Sequence, residues 1–321
     1  MRYAQMGLSA PPSDKGSMGT VRHIIESQQF DRPFLADLFK RAEWYSEQGR
    51  VRDLAGFTMA SLFYEPSTRT RFSFEAAMYR LGGNVITTEN AREFSSLAKG
   101  ESLEDTIRII AGYVDLIVMR HNEIGAARRA SEISSVPIIN GGDGAGQHPT
   151  QALLDLFTLH RKFDRLDGLK VAMVGDLRYG RTVRSLAYLL AKFDQVELTF
   201  VAPKVCQMHE DIKDYLTGKG VVWREEEDLD VVLTRIDSVY MTRIQKERFL
   251  DQQEFEQANN AYRLTPENVA KMSPEAIILH PLPRLGEIDP AVDADPRACY
   301  FEQAKNGLWI RMAIIQSLLS E

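Results

Sequence analysis

Apolar residues recur along this chain with two periods, one helical and one of the buried-strand kind, and the two alternate. In DRPFLADLFKRAEWYSEQG, Phe34, Leu35, Leu38, Phe39 and Ala42 fall on one helical face, with Asp31 placed to cap the helix and Gly49 to stop it. FTMASLF at 57–63 reads as a strand, and STRTRFSFEAAMYRLGG as a helix ended by Gly82 and Gly83. NVITT is a further strand, and ESLEDTIRIIAGY a helix with Ser102 and Asp105 in capping-box spacing. DLIVM and VPIIN are short apolar runs separated by an Ala/Arg/Glu-rich helical stretch. Such alternation predicts parallel strands covered by helices on both faces.

A Gly-rich loop, GGDGAGQ at 141–147, precedes a long amphipathic helix, HPTQALLDLFTLHRKF, and the alternation then restarts. KVAMVGD, VELTFVAP, DSVYMT and AIILHPLP read as strands, RTVRSLAYLLAKF and MHEDIKDYLTGKG as helices, and QAKNGLWIRMAIIQSLLSE as a closing amphipathic helix. The expected fold class is α/β, with two domains, each a parallel β-sheet flanked by helices, and an active site in the cleft between them. The expected boundaries are a flexible lead-in at 1–20, one domain over 21–148 plus 303–321, and a second over 149–302. A length of 321 residues suits two domains.

Composition then removes several function classes. With 44% hydrophobic and 26% charged residues the chain is neither disordered nor fibrous. A net charge of −6 does nothing to attract a nucleic-acid backbone. No apolar stretch approaches the ~18 residues of a membrane helix, so neither nucleic acid nor membrane is an expected partner. Cys206 and Cys299 stand far apart without a CxxC, which leaves no disulfide framework and no thiolate zinc site. Residues 1–20 lack the apolar core of a secretory signal and the Arg/Ser richness of a transit peptide, so the cytoplasm is the default compartment.

Ligands of open α/β sheets bind at the carboxyl ends of the strands, and the chemistry-bearing segments fall there. In FYEPSTRTRFSFE, Pro66 breaks a strand and Ser67, Thr68, Arg69 and Thr70 open a helix. Hydroxyls, an arginine and helix-terminal N–H groups make a phosphate site. The plainer reading, a serine cap before a solvent-facing arginine pair, accounts for less of the pattern. VMRHNE places Arg120 and His121 after a strand; alone it is a charged surface loop, and it gains weight from sharing the sheet edge. His148 and Gln151 share one side of a helix's first turn, with Pro149 at an early helical position. They suit polarising a carbonyl oxygen or fixing an amide nitrogen, and a structural histidine cap explains the segment equally well.

GDLRYGRT at 175–182 has P-loop spacing with Arg181 where the lysine belongs. A nucleotidase would need that lysine and a strand ending in a metal-binding Asp, whereas DLIVMR and DSVYMT begin with theirs. Arg181 therefore reads as a carboxylate clamp. SVYMTRIQKERF sets Arg243, Gln245 and Arg248 beyond a strand, and in ILHPLPR the prolines 281 and 283 predict an extended Leu282 with carbonyls open to a ligand amide, or else a rigid turn. EFSSLAKGE mimics a Ser-x-x-Lys nucleophile pair in Ser96 and Lys99 without the partners that chemistry needs. A lid carrying Ser95 and Lys99 over an anionic substrate is the better reading.

Taken together, STRTR, MRH, HPTQ, GRTVRSL, TRIQKER and HPLPR resemble, in order and spacing, the aspartate/ornithine carbamoyltransferase superfamily from about His23 to the carboxyl terminus. Within it they are most similar to the aspartate carbamoyltransferase family, since the ornithine family carries HCLP where HPLP stands here and a Ser-Met-Gly motif where TRIQ stands. The resemblance implies carbamoyl transfer from carbamoyl phosphate to L-aspartate, early in UMP synthesis, with no cofactor and no metal. It implies that Ser67, Thr68, Arg69 and Thr70 bind phosphate and that Thr70, Arg120 and His148 polarise the carbamoyl oxygen. Gln151 and the backbone of Leu282 and Pro283 would hold the carbamoyl nitrogen. Arg181, Arg243 and Gln245 would hold aspartate, with Lys99 reaching phosphate and carboxylate, and Glu65 and Arg248 would be ion-pair partners that close the cleft. It further implies a homotrimer in which the Ser95/Lys99 loop serves a neighbouring chain. TTENAREFSSLAKGE looks most like the plant-type branch, which lacks regulatory chains and is inhibited by UMP. A removed transit peptide would place such a chain in an organelle stroma.

Overall fold

Among the described residues every β-strand runs parallel to its sheet neighbours. The computed structural model describes residues 21–89, 100–244, 252–259 and 261–319. The chain divides into two units, Met1–Leu153 with Asn306–Glu321, and Leu154–Lys305.

The first unit holds β1 (Thr58–Phe63), β2 (Asn84–Glu89), β3 (Leu116–His121) and β4 (Ile138–Asp143), in the order β2-β1-β3-β4. Its helices are α1 (Arg32–Gln48), α2 (Thr68–Arg80), α3 (Leu103–Ala111), α4 (Ala126–Ile133), and the start of α5 (Pro149–Phe163). The caps follow the sequence. Asp31 Oδ1 accepts the Phe34 N–H at 2.8 Å, Ser102 Oγ accepts that of Asp105 at 3.1 Å, and Gly49 ends α1 at φ 77°. Ala60, Leu62, Ile117, Met119 and Ile138 pack one sheet face against Leu103 and Ile107 of α3 and the alanines 126, 127 and 130 of α4. Ile24 adds a single parallel bridge to Ile139 on the outer side of β4.

The second unit holds β5 (Lys170–Val174), β6 (Glu197–Val201), β7 (Val222–Glu226), β8 (Ser238–Met241) and β9 (Ile277–Leu279), in the order β7-β6-β5-β8-β9. Its helices are α6 (Arg181–Leu190), α7 (Glu210–Gly218), α8 (Leu229–Leu233), α9 (Gln252–Asn259), α10 (Pro266–Val269) and the start of α11 (Tyr300–Leu319). Val174, Val201, Val239, Met241 and Ile278 form a core with Leu233, Leu264, Val269 and Tyr300. In both sheets the strand order reverses once, between β1 and β3 and between β5 and β8. Those switch points are where open α/β sheets leave room for ligands.

Two details depart from the sequence reading. Gly141, Gly142 and Asp143 belong to β4, because pairing with β3 runs on to His121 opposite Asp143, so the loop proper begins at Gly144. Strand β7 has no apolar run to betray it. VWREE is largely exposed, an edge strand whose Arg224 reaches Glu197 at 3.1 Å and Thr199 at 3.2 Å on β6.

The end of β5 lies against the residue after β8. Gly175 sits at φ 112°, and a Cβ there would stand 2.2 Å from the Thr242 carbonyl oxygen. Both the backbone conformation and the space exclude a side chain. Gly175→Ala should lower the free energy of unfolding in urea by at least about 2 kcal/mol. Gly218→Ala, where a Cβ meets nothing within 4 Å, should stay within about 1 kcal/mol of the parent.

Candidate functional site

The loop after β1 opens α2. Ser67 occupies the N-cap but its side chain caps nothing, which removes the plain reading of this serine. The helical ladder starts with Arg71 N–H onto Ser67 O at 3.1 Å, so the amides of Thr68, Arg69 and Thr70 precede it at the positive end of the helix dipole. Thr70 is buried, whereas Thr68 and Arg69 are exposed. The two arginines separate in role. Arg71 lies 3.8 Å from Glu75, whose Oε1 also accepts from Ser61 and Thr87. Arg69 makes no ion pair among the described residues. Partial desolvation lowers the pKa of its guanidinium from the ordinary arginine value, although the side chain reaches solvent. Starting from that height, it remains a cation at neutral pH.

Strand β3 delivers Arg120 beside this loop. Tyr64 N–H donates to Arg120 O at 2.9 Å, and Glu65 Oε2 accepts from the guanidinium at 3.0 and 3.1 Å. Glu65 thus pairs with Arg120, and the expected pairing of Glu65 with Arg248 falls outside the described residues. The register that sets Phe63 opposite Arg120 brings the residues following β1 to that guanidinium. His121 is structural, its Nδ1 accepting the Glu123 N–H at 3.0 Å and its ring lying 5.0 Å from that of Tyr64.

His148 is buried directly before α5, and its carbonyl accepts the Gln151 and Ala152 N–H groups at 3.0 and 3.2 Å. A residue that no pattern in the sequence singles out holds this loop. Buried Asp143 accepts Gln147 N–H at 2.7 Å and Gly125 N–H at 2.9 Å, tying the loop after β3 to the loop after β4. Gly144 and Gly146 are glycines because a Cβ would strike Asn122 O at 2.6 Å or Asp143 Oδ1 at 2.9 Å.

In the second unit the glycines of GDLRYGRT are explained by packing. Gly175 passes Thr242, and a Cβ on Gly180 would stand 2.4 Å from Asp176 O. Fully buried Asp176 accepts the Tyr179 N–H at 2.9 Å and folds the loop back. Arg181 begins α6 half-buried. Arg243, also half-buried, follows Thr242, whose N–H and hydroxyl both donate to Val174 O at 2.8 and 2.9 Å. The two arginines therefore follow neighbouring strands, one on each side of the switch point. Ser95, Lys99, Gln245 and Arg248 lie outside the described residues.

The segment after β9 is not extended. Leu282 takes φ 55°, the Leu282–Pro283 peptide is cis, and Leu282 N–H donates to His280 Nδ1 at 2.8 Å, which curls the chain into a turn. The accepting Nδ1 leaves the ring proton on Nε2, 2.7 Å from Glu287 Oε1. Glu287 Oε2 accepts the N–H groups of Leu285 and Gly286 at 3.0 and 2.9 Å. Burial alone would raise the Glu287 pKa, but the His280 hydrogen bond and the backbone amides outweigh it and pull the value down to about 2. Arg284 is occupied elsewhere, with Asp293 and Tyr300.

Among the described residues no cluster of three or more His, Cys, Asp or Glu side chains could hold a metal ion. A cavity of about 380 Å³ beyond β6 and β7 is lined by Phe200, Met208 and the carboxylates 225–228, which suits no anionic substrate, and none of the expected residues reaches it.

Fold and site define an α/β enzyme of the doubly wound kind, with cationic groups at the switch points of two parallel sheets. Residues 22–161 match the carbamoyl-P binding domain, and residues 167–318 the Asp/Orn binding domain, of aspartate/ornithine carbamoyltransferase. The chain belongs to the aspartate/ornithine carbamoyltransferase family. It is 57% identical over 303 residues to the chloroplastic aspartate carbamoyltransferase of Arabidopsis thaliana, a match covering 92% of this chain and 77% of that one. It is 48% identical over 305 residues to the aspartate carbamoyltransferase catalytic subunit of Methanocaldococcus jannaschii, covering 94% and 99%. Among solved structures, aspartate transcarbamoylase of Trypanosoma cruzi in complex with N-(phosphonacetyl)-L-aspartic acid superposes with a TM-score of 0.88 at 40% identity, covering 93% of this chain and 96% of that one.

The Glu287 shift has a pH consequence. A depressed carboxylate contributes its full stability above 4.5, the ordinary glutamate value, and loses it as pH falls toward about 2. Glu287→Gln should therefore unfold more readily at neutral pH, by on the order of 3 kcal/mol. Urea titrations at stepped pH should show the gap to the parent closing between pH 4.5 and about 2.

Proposed function

We propose that the chain transfers the carbamoyl group of carbamoyl phosphate to the amine of L-aspartate, giving N-carbamoyl-L-aspartate and phosphate, an early step of UMP synthesis. The observation that carries this reading is the distribution of cations. A helix start with Arg69 follows the switch-point strand of one sheet, and Arg181 and Arg243 follow the switch-point strands of the other. The first suits a phosphate and the second a dicarboxylate. A relative that binds N-(phosphonacetyl)-L-aspartic acid, one molecule bearing a phosphonate and an aspartate, supports the same division.

On this reading Ser67, Thr68, Arg69 and Thr70 hold the phosphate, and Thr70, Arg120 and His148 polarise the carbamoyl oxygen, with Glu65 fixing the plane of the Arg120 guanidinium. Gln151 and the carbonyls of the Leu282–Pro283 turn take the carbamoyl nitrogen. Arg181, Arg243 and Gln245 orient aspartate so that its amine attacks the carbamoyl carbon. The C–N bond forms, the C–O bond to phosphate breaks, and the leaving phosphate accepts the amine proton. Rate comes from placement and from charge stabilised as it develops. The first unit is the carbamoyl-phosphate domain and the second the aspartate domain.

The working form is a homotrimer in which Ser95 and Lys99 complete a neighbour's site. Exposed Phe72 and Tyr79, seven residues apart on α2, and exposed Ile86 on edge strand β2 support it as an apolar face for a second chain to cover. UMP competes for the phosphate site. No helix among the described residues is long and apolar enough to cross a membrane. The compartment is the cytoplasm, or the stroma if the chain is plastid-borne like the plant relatives.

A colorimetric ureido assay with carbamoyl phosphate and a panel of amines should give product with aspartate and none with ornithine; the reverse would overturn the assignment. The shared site can be checked by mixing two inactive variants, Lys99→Ala and Arg69→Ala, and letting subunits reassort. Each mixed trimer then gains one intact site, so activity should return to about a quarter of the parent's. Mixtures that stay inactive after verified exchange would show a lid acting within its own chain.

A further inference from the structure

Asp155 is a fully buried carboxylate on α5 that the proposed chemistry does not use. Its two oxygens lead in different directions. Oδ2 accepts the Tyr240 hydroxyl at 2.8 Å, and Oδ1 accepts the Gln303 side-chain amide at 2.6 Å. Tyr240, fully buried on β8, stands three residues before Arg243, and its phenol oxygen also bonds to the side chain of Thr182, the residue after Arg181. Gln303, on α11, presents its carbonyl oxygen to His280 N–H at 2.8 Å, and His280 Nδ1 holds the Leu282 N–H at 2.8 Å. One arm thus ends beside both aspartate-side arginines, and the other ends in the Leu282 turn.

A buried ionised carboxylate is a poor way to add stability, because desolvation offsets most of what its hydrogen bonds return and an apolar core of the same shape often does better. What a fully bonded carboxylate does supply is direction, since each donor must meet a fixed lone pair. We propose that Asp155 is a positioning residue, the branch point that holds the Arg181 and Arg243 ends in register with the Leu282–Pro283 turn. The amine donor and the carbamoyl nitrogen are thereby presented at one fixed separation. The proposal rests on the reading of the site as aspartate carbamoylation, and it adds that the two substrate contacts of this unit are set by a single buried group.

The branched geometry makes the test specific. Tyr240→Phe removes one hydroxyl and cuts only the first arm. It should raise the aspartate KM about tenfold and leave the calorimetric Kd of carbamoyl phosphate within about twofold of the parent. Gln303→Leu cuts only the second arm and should do the opposite, weakening carbamoyl phosphate about tenfold and sparing aspartate KM to within about twofold. Asp155→Asn should shift both constants. A purely structural role would lower the Tm of all three variants without this division. Single-arm variants that shift both constants alike, or neither, would overturn the proposal, and these two decide the matter even if Asp155→Asn does not fold. A parent enzyme that makes no product from aspartate would instead sink the underlying assignment, so the two failures are told apart.

Discussion

Parallel strand pairing is the constraint on which the rest depends. It sends the carboxyl end of each strand in a sheet to one edge, so every loop that leaves a strand starts there. Ser67, Arg120 and His148 come from three separate stretches of chain, and the order β2-β1-β3-β4 alone is enough to bring their loops to a common edge. The same rule places Arg181 and Arg243 after adjacent strands although 61 residues of sequence lie between them. Where the order reverses, the crossover helices depart to opposite faces, and the polar residues at the strand ends are left facing one another without a helix between them.

Close packing then converts that coarse arrangement into a defined one. The contact of Gly175 with Thr242 fixes how the ends of β5 and β8 meet, and buried Asp143 does a similar task for the loops after β3 and β4. In each case a small or short side chain sits where backbone must approach backbone. The cations themselves need not be rigid. They need strand ends that are.

Much of this was legible in the order of residues, for physical reasons. Buried parallel strands are apolar on both faces, so β1, β3, β5 and β8 announce themselves, and Asp31, Gly49 and Ser102 mark helix ends because caps require those side chains. Charge in a loop after an apolar run is unusual enough to point at Arg69, Arg120, Arg181 and Arg243. The remainder depends on contacts between distant positions. VWREE looks like a loop because an edge strand buries little, and that the Ser67 hydroxyl caps nothing shows only once its bonds are placed. The flanking prolines leave Leu282 either extended or in a rigid turn, and the turn found here closes on the ring of His280, two residues earlier. That Glu65 meets Arg120 was equally out of reach, since strand register rather than nearness in sequence brings the two together.

The helices that carry the chain between the two units have a consequence for anyone who wishes to divide it. The first unit ends at Leu153 and resumes at Asn306, and both positions lie inside helices, α5 and α11, rather than in linkers. A gene cut at the first boundary would sever α5 in its second turn, with Gln151 on one fragment and Asp155 on the other. The second fragment would have to restart the helix at Leu154, a position with no cap, and nucleation is the costly step in helix formation. Two-piece reconstitution and circular permutation should therefore open the chain at surface turns such as that at Gly220, where a Cβ meets nothing within 4 Å, and leave the boundary between units uncut.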